Sequence, residues 1–218
     1  MTLNLVSPHA TVLQLKQILP KIGPESCPTQ YNFHLHTYFS DGQMSPKHLV
    51  DQAVRLKLKG FAITDHHTVQ GFEEAQSLLP EGGPLLWSGV EITTRLLGCE
   101  VHILGYGFDP VSPALKPFLQ GKFVDGVSAK QVVSAIHKAN GLAVLAHPFR
   151  YSVPGPTIIR AAVEAGVDGL EAYYAYKNPS PWIPSYPQSE TAELLAANYG
   201  LYRTCGTDSH GRSILNRL

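Results

Sequence analysis

The 218-residue sequence has only three cysteines, Cys27, Cys99 and Cys205, with no paired spacing. A sparse, odd count argues against a disulfide framework and fits a reducing compartment. Formal charge shows no excess of either sign, with 17 basic and 17 acidic residues. That lack of basic surplus argues against duplex nucleic acid as a partner, though a small nucleotide or a short single strand remains compatible with it. No apolar run approaches the ~18 residues of a membrane-spanning helix. The first residues lack the basic start and apolar stretch of a signal peptide. The chain therefore reads as soluble and cytoplasmic, with no membrane partner. Gly-x-Gly-x-x-Gly and P-loop sequences are missing, which removes the usual nucleotide-fold fingerprints. There is no internal repeat and no low-complexity tract.

What the chain does have is ten histidines, more than packing requires. Two stand in "YNFHLHTYFSDG" (31–42), one residue apart. In a strand, residues two apart project to one face, so His34 and His36 point together and Phe33 and Leu35 point away. Such a pair is either a metal-binding pair or two ordinary polar residues at a strand end. The rest of the chain must decide.

Residues 1–29 read as an extension: "HATVLQLKQIL" as a short amphipathic helix, then a Pro- and Gly-containing linker. From residue 30 onward strands and helices alternate. "SPKHLVDQAVRLKLKG" is a helix capped by Ser45, with Pro46 in its first turn and Gly60 as its stop. "FAIT", "PLLWSGVEI", "EVHILGYGF", "GLAVLAH", "VDGLEAYY" and "LYRTCGTD" are further strands. The intervening helices include one capped by Ser128. This order predicts an α/β fold with mainly parallel strands. About seven strands in this order favour a barrel over an open sheet.

The polar residues gather at strand ends. His34, His36 and Asp41 follow the first strand; Asp65, His66 and His67 follow the second. Glu91, His102, His147 with Arg150, Glu171, and Asp208 with His210 close later ones. In such barrels strand ends converge on one rim, where active sites form. Histidines with carboxylates suit zinc, manganese or iron better than calcium or magnesium. The candidate ligands are too many for one ion, so two or three ions with a bridging carboxylate are the economical reading. His9, His48 and His137 fall on the extension or on helices and read as surface residues.

In order, "FHLHTYFSDG", "ITDHHT", "GVEI", "VHILGYGFD", "LAHPFR" and "CGTDSH" resemble the motifs of the polymerase and histidinol phosphatase (PHP) superfamily, from Tyr31 to Gly211. Within it the chain looks most like small phosphoesterases acting on nucleoside bisphosphates and short RNA. The resemblance implies a distorted seven-stranded (β/α) barrel and a trinuclear metal site. One metal would take His34, His36, Glu91 and Asp208, a second Glu91, His102 and His147, and a third Asp41, His66 and His210. The chain departs from the nucleotide phosphatases in having almost nothing inserted between the strands of His102 and His147. It also carries His67 where many relatives have an acidic residue, and only eight residues follow His210.

The expected activity is hydrolysis of a small phosphate monoester, possibly a nucleotide, by metal-activated hydroxide. Arg150 would contact the phosphate, Asp65 would orient a ligand histidine, and His67 is either a general acid for the leaving group or a partly exposed loop histidine. The aromatic loop "YYAYKNPSPWIPSYP" is either a base-stacking platform through Trp182 and Tyr186 or a cover for the rim. Lys177 and Arg203 are candidate anion contacts. Two alternatives are a phosphodiesterase or exonuclease on short single strands, and a non-catalytic barrel stabilised by metal.

Overall fold

The computed structural model describes residues 10–218. In chain order its elements are α1 (Val12–Ile18), β1 (Tyr31–Asn32), α2 (Pro46–Arg55), β2 (Gly60–Ala62), α3 (Gln70–Leu78), β3 (Leu85–Trp87), β4 (Gly89–Leu96), β5 (Cys99–Tyr106), α4 (Ala129–Lys138), β6 (Leu142–Leu145), α5 (Gly155–Ala165), β7 (Gly169–Tyr173), α6 (Gln188–Tyr199) and β8 (Tyr202–Cys205). Local chemistry sets many of the boundaries. Ser45 Oγ accepts the His48 N–H at 3.1 Å and opens α2. The helix stops at Arg55, short of Gly60, where Lys57 turns left-handed at φ 56°. Ser128 and Gln131 form a reciprocal capping box at the start of α4.

The fold is mixed α/β, with two sheets. Strands β1, β2 and β3 pair in parallel. Strands β4 to β8 form the second sheet in sequence order. There β5 runs antiparallel to both neighbours, while β6, β7 and β8 are parallel. The reversal is made at Leu97–Gly98, both with positive φ (52° and 72°), as a tight hairpin turn demands. The stretch "PLLWSGVEI", which reads as one strand, is interrupted at Ser88. Its hydroxyl donates to the Phe108 carbonyl at 2.6 Å, and the ladder changes sheet there.

Backbone bonds sew the sheets together on both sides. The Glu91 N–H reaches the Asp65 carbonyl at 3.2 Å, and the His67 N–H reaches the Glu91 carbonyl at 3.0 Å. On the other side, the Asp208 N–H bonds the His34 carbonyl at 2.9 Å and the His36 N–H bonds the Ser209 carbonyl at 3.1 Å. The sheets are thus distinct ladders joined at seams, where sequence periodicity suggested one run of strands. Those seams place His34, Asp65, Glu91 and Asp208 side by side.

His9 lies outside the described residues. The segment from Ala10 to Ile22 is built into the core. Leu15, Leu19 and Ile22 are buried with Phe33, Trp87 and Tyr106. The Trp87 indole N–H donates to the Thr11 carbonyl at 3.1 Å, and the Ala10 N–H to the Leu86 carbonyl at 3.2 Å. The last residues also fold back. Ile214 is buried with Leu35 and Phe61. Its carbonyl accepts Asn32 Nδ2 at 2.9 Å. No helix among the described residues is long and apolar enough to cross a membrane.

Truncating Leu15 to Ala removes fully buried apolar volume and should lower the unfolding free energy by about 2–5 kcal/mol. Urea denaturation reads this directly. A loss under about 1 kcal/mol would place α1 outside the cooperative unit.

Candidate metal centre

Glu91 stands at the middle of the strand ends and is almost wholly buried, at 1% exposure. Its two oxygens face different histidines. Oε1 lies 2.6 Å from His102 Nδ1 and 3.2 Å from His147 Nε2. Oε2 lies 2.9 Å from His34 Nε2, 3.1 Å from His36 Nε2 and 3.6 Å from His66 Nε2. Burial alone would raise this carboxyl, but His34, His102 and His66 outweigh it and hold Glu91 well below the usual carboxylate range.

Asp208 is the second buried carboxylate. Tyr174 Oη, Arg217 Nε and Arg150 Nη1 all donate to its Oδ2, at 2.7, 2.8 and 3.0 Å. Its Oδ1 is left toward His36 Nε2 at 3.2 Å and His34 Nε2 at 3.4 Å. Glu171 sits behind the cluster. It accepts His34 Nδ1 at 2.8 Å and the His147 backbone N–H at 2.8 Å, fixing the ring of the first and the backbone of the second. Glu171 is thus an acceptor that orients both partners from behind the cluster.

Among the described residues, three sets of side chains bring candidate ligand atoms within 4.8 Å of one another. These are His34, His36, Glu91 and Asp208; His36, Asp41, His66 and His210; and His66, Glu91 and His102. The first set is the one the sequence motifs imply. The second gains His36, whose Nδ1 is 3.5 Å from Asp41 Oδ1. In the third, His66 takes the place given to His147, which instead meets the same Glu91 oxygen as His102. His36 Nε2 tests the fit to metal. It is buried beside two carboxylates yet makes no hydrogen bond to either. A buried polar nitrogen in that state is costly unless it has another partner. A divalent cation between the imidazole and the carboxylates satisfies it, and nitrogen and oxygen donors suit zinc, manganese and iron.

Three polar residues of the site have left-handed backbones: His67, His147 and Asp208, with φ of 55°, 25° and 53°. Non-glycine residues adopt this region rarely, and such strain gathers at functional sites. Gly206 is a point of close approach, because a Cβ there would run into the His34 side chain.

Two expected roles are corrected. Asp65 contacts no histidine directly; Ser40 Oγ stands between, 2.8 Å from Asp65 Oδ1 and 3.5 Å from His36 Nδ1. Asp65 accepts the Thr37 N–H and hydroxyl, each at 2.6 Å, and the Ser40 hydroxyl. It therefore holds the loop that carries Asp41. His67 is not placed to be a general acid. Its Nε2 accepts the Thr93 N–H at 3.2 Å, so Nδ1 carries the proton and donates to the Phe118 carbonyl at 3.2 Å. Both ring nitrogens are engaged with backbone, and burial lowers its pKa further. Elsewhere, Trp182 is packed in the core with Tyr173 and Ala192 instead of facing the cluster. Arg203 is paired with Glu193 at 2.7 Å. Tyr174 belongs to the aromatic loop, for which stacking or rim cover was expected and not a bond to Asp208, and Arg217 stands at no motif position.

Matching the chain to family models gives the PHP domain over residues 32–210. The chain belongs to the PHP domain family. A 5'-3' exoribonuclease of Haemophilus influenzae is 25% identical over 214 residues, covering 65% of this chain and 78% of the relative. A 3',5'-nucleoside bisphosphate phosphatase of Chromobacterium violaceum is 30% identical over 112 residues, covering 51% of this chain and 39% of the relative. Among solved structures, a protein of Bifidobacterium adolescentis assigned as a metal-dependent phosphoesterase shares the fold. Its TM-score is 0.70 at 24% identity, covering 85% of this chain and 89% of that one.

Two outcomes follow from this PHP-family site. In the ion-free protein burial disfavours a charged His36, but Asp208 and Glu91 hold its pKa at about 9. An imidazole must be unprotonated to bind an ion, so below that pH ion binding at His36 expels a proton. Apparent affinity for manganese should therefore climb between about pH 6 and about pH 8, with proton release seen by calorimetry in two buffers. Binding without proton release would contradict the assignment. His67→Ala should destabilise the protein by about 1–3 kcal/mol through two orphaned backbone groups. It should leave the dependence of rate on leaving-group pKa unchanged; a steeper dependence would restore the acid role.

Proposed function

We propose that this PHP-family enzyme hydrolyses the phosphate monoester of a small metabolite, at a centre of two or three divalent ions. The observation that carries the reading is the split of the Glu91 carboxylate, one oxygen toward each set of histidines. A structural site needs no such bridge, since one closed set of four ligands suffices.

His34, His36, Glu91 and Asp208 would hold one ion, Glu91, His102 and His147 or His66 a second, and Asp41, His66 and His210 a third. Zinc, manganese and iron all suit these donors. Such ions, when bound, lower the pKa of water toward neutrality and neutralise phosphoryl oxygens. The remaining tasks fall to the chain itself. Glu171 keeps His34 in one tautomer and one orientation. Tyr174 and Arg217 fix Oδ2 of Asp208, so that Oδ1 stays turned to the histidines. Arg150 uses Nη1 for Asp208 and Tyr174 and is 40% exposed, leaving other N–H groups for a phosphoryl oxygen.

The same seams support reading the two sheets as one distorted (β/α) barrel, with β3 and β4 as a single interrupted strand. The three cysteines are free and fit a cytoplasmic setting. A neutral chain is poorly suited to tracking a long polyanion, which puts a small ester ahead of a polymer.

Phosphate release with manganese from mononucleotides, nucleoside bisphosphates, sugar phosphates and a short oligonucleotide tests the proposal. Turnover of a monoester is expected, with Arg150→Ala raising KM roughly 10- to 100-fold through a lost charge-assisted bond. Cleavage of the oligonucleotide alone would replace the phosphatase with an exonuclease. Metal loading without turnover of any phosphate ester would overturn the reading.

A further inference from the structure

A cleft of about 420 Å³ opens beside the donor cluster. Part of its lining is Asp41, His66 and His102, and another part is two phenyl rings, Phe39 and Phe123. Metal donors and phosphate contacts give no reason for phenyl rings there. Apolar rings beside polar anchors are what a binding cleft uses to grip the unreactive part of a ligand.

Both rings are held in place. The Phe39 ring packs 4.8 Å from that of Tyr38, and its N–H bonds Thr37 Oγ1 at 3.2 Å. Thr37 is in turn bound by Asp65, so the loop carrying Phe39 is the loop carrying Asp41. Phe123 comes from the short crossing between β5 and α4. The Arg95 guanidinium lies over its ring, 5.8 Å from the centre, and the His67 ring lies 6.3 Å away. His67 grips the same crossing through the Phe118 carbonyl and the Gly121 N–H, the latter at 2.9 Å to the His67 carbonyl. This gives His67 a purpose: it fixes the loop that delivers Phe123 to the cleft.

We propose that Phe39 and Phe123 are specificity-determining residues, which stack on a planar aromatic group borne by the alcohol part of the phosphate ester. The inference rests on the monoester reading above and adds the class of alcohol. Stacking is indifferent to the edge groups of the ring, so the cleft selects for aromaticity more than for one particular base.

The test uses hydrolysis-resistant phosphonate analogues of adenosine 5'-phosphate and of ribose 5-phosphate, which share the reacting end and differ by the ring system alone. Dissociation constants are measured on manganese-loaded protein, native and with Phe39→Leu or Phe123→Leu. The native protein should bind the adenosine analogue at least about tenfold tighter. Either variant should bring the ratio toward one while leaving the ribose analogue unaffected. A native ratio near one, or equal weakening of both ligands, overturns the proposal. If Phe39→Leu fails to fold, Phe123→Leu on its exposed crossing decides alone. The native ratio and its collapse in the variants, without hydrolysis of any phosphate ester, would sustain the clamp and overturn the monoester reading. The two claims therefore fail separately.

Discussion

One buried carboxylate governs the site. Glu91 has no water to solvate it, and an isolated charge so placed is too costly to persist. Five imidazoles face its two oxygens within 3.6 Å. That arrangement creates a second difficulty, since those imidazoles cannot all be charged at such short range. The conflict is visible in opposite shifts. His66 is depressed to about 4, by burial first and then by His36 and His102, while burial's pull on His36 is overcome by Asp208 and Glu91, which hold it at about 9. Divalent cations remove the conflict, because neutral imidazoles and carboxylates are both ligands to the same charge.

The outer residues of the site serve that centre by holding orientation. Three donors on one oxygen of Asp208 leave the other free to face the histidines. Glu171 joins His34 on β1's seam to His147 beyond β6, so two distant segments share one acceptor. Asp65 restrains the loop of Asp41 from below. The left-handed residues His147 and Asp208 are those whose side chains must leave the strand direction to enter the cluster. Strain and burial thus serve the geometry of the cluster, with the sheets' seams as the scaffold.

Much of this was legible in the sequence. Period-two spacing put His34 and His36 on one face, and their rings lie 5.1 Å apart. Convergence of strand ends brought Asp41, Glu91, His102, His147, Asp208 and His210 together before any contact was known. Residue roles beyond the ligands were less legible. His67 follows His66 directly, and only its contacts with the Phe118 carbonyl and the Thr93 N–H show that it is bonded to backbone. The count of aromatics in residues 173–187 suggested a stacking platform. Composition does not reveal that Trp182 packs inward while two phenylalanines from other loops reach the cleft. Arg217 meets Asp208 through the fold-back of the last residues, for which sequence spacing offers no sign. The PHP motifs mark the cluster because its residues sit at strand ends. Substrate contacts sit on loops, where no period constrains them.

The most direct test of the central claim is the position of ions in crystals grown with manganese, read from anomalous diffraction. The account predicts separate peaks on the two sides of the Glu91 carboxylate, one within reach of His34, His36 and Asp208 and one within reach of His102. A single ion touching one oxygen of Glu91, or ions bound away from it altogether, would contradict the bridging role on which the proposed chemistry is built.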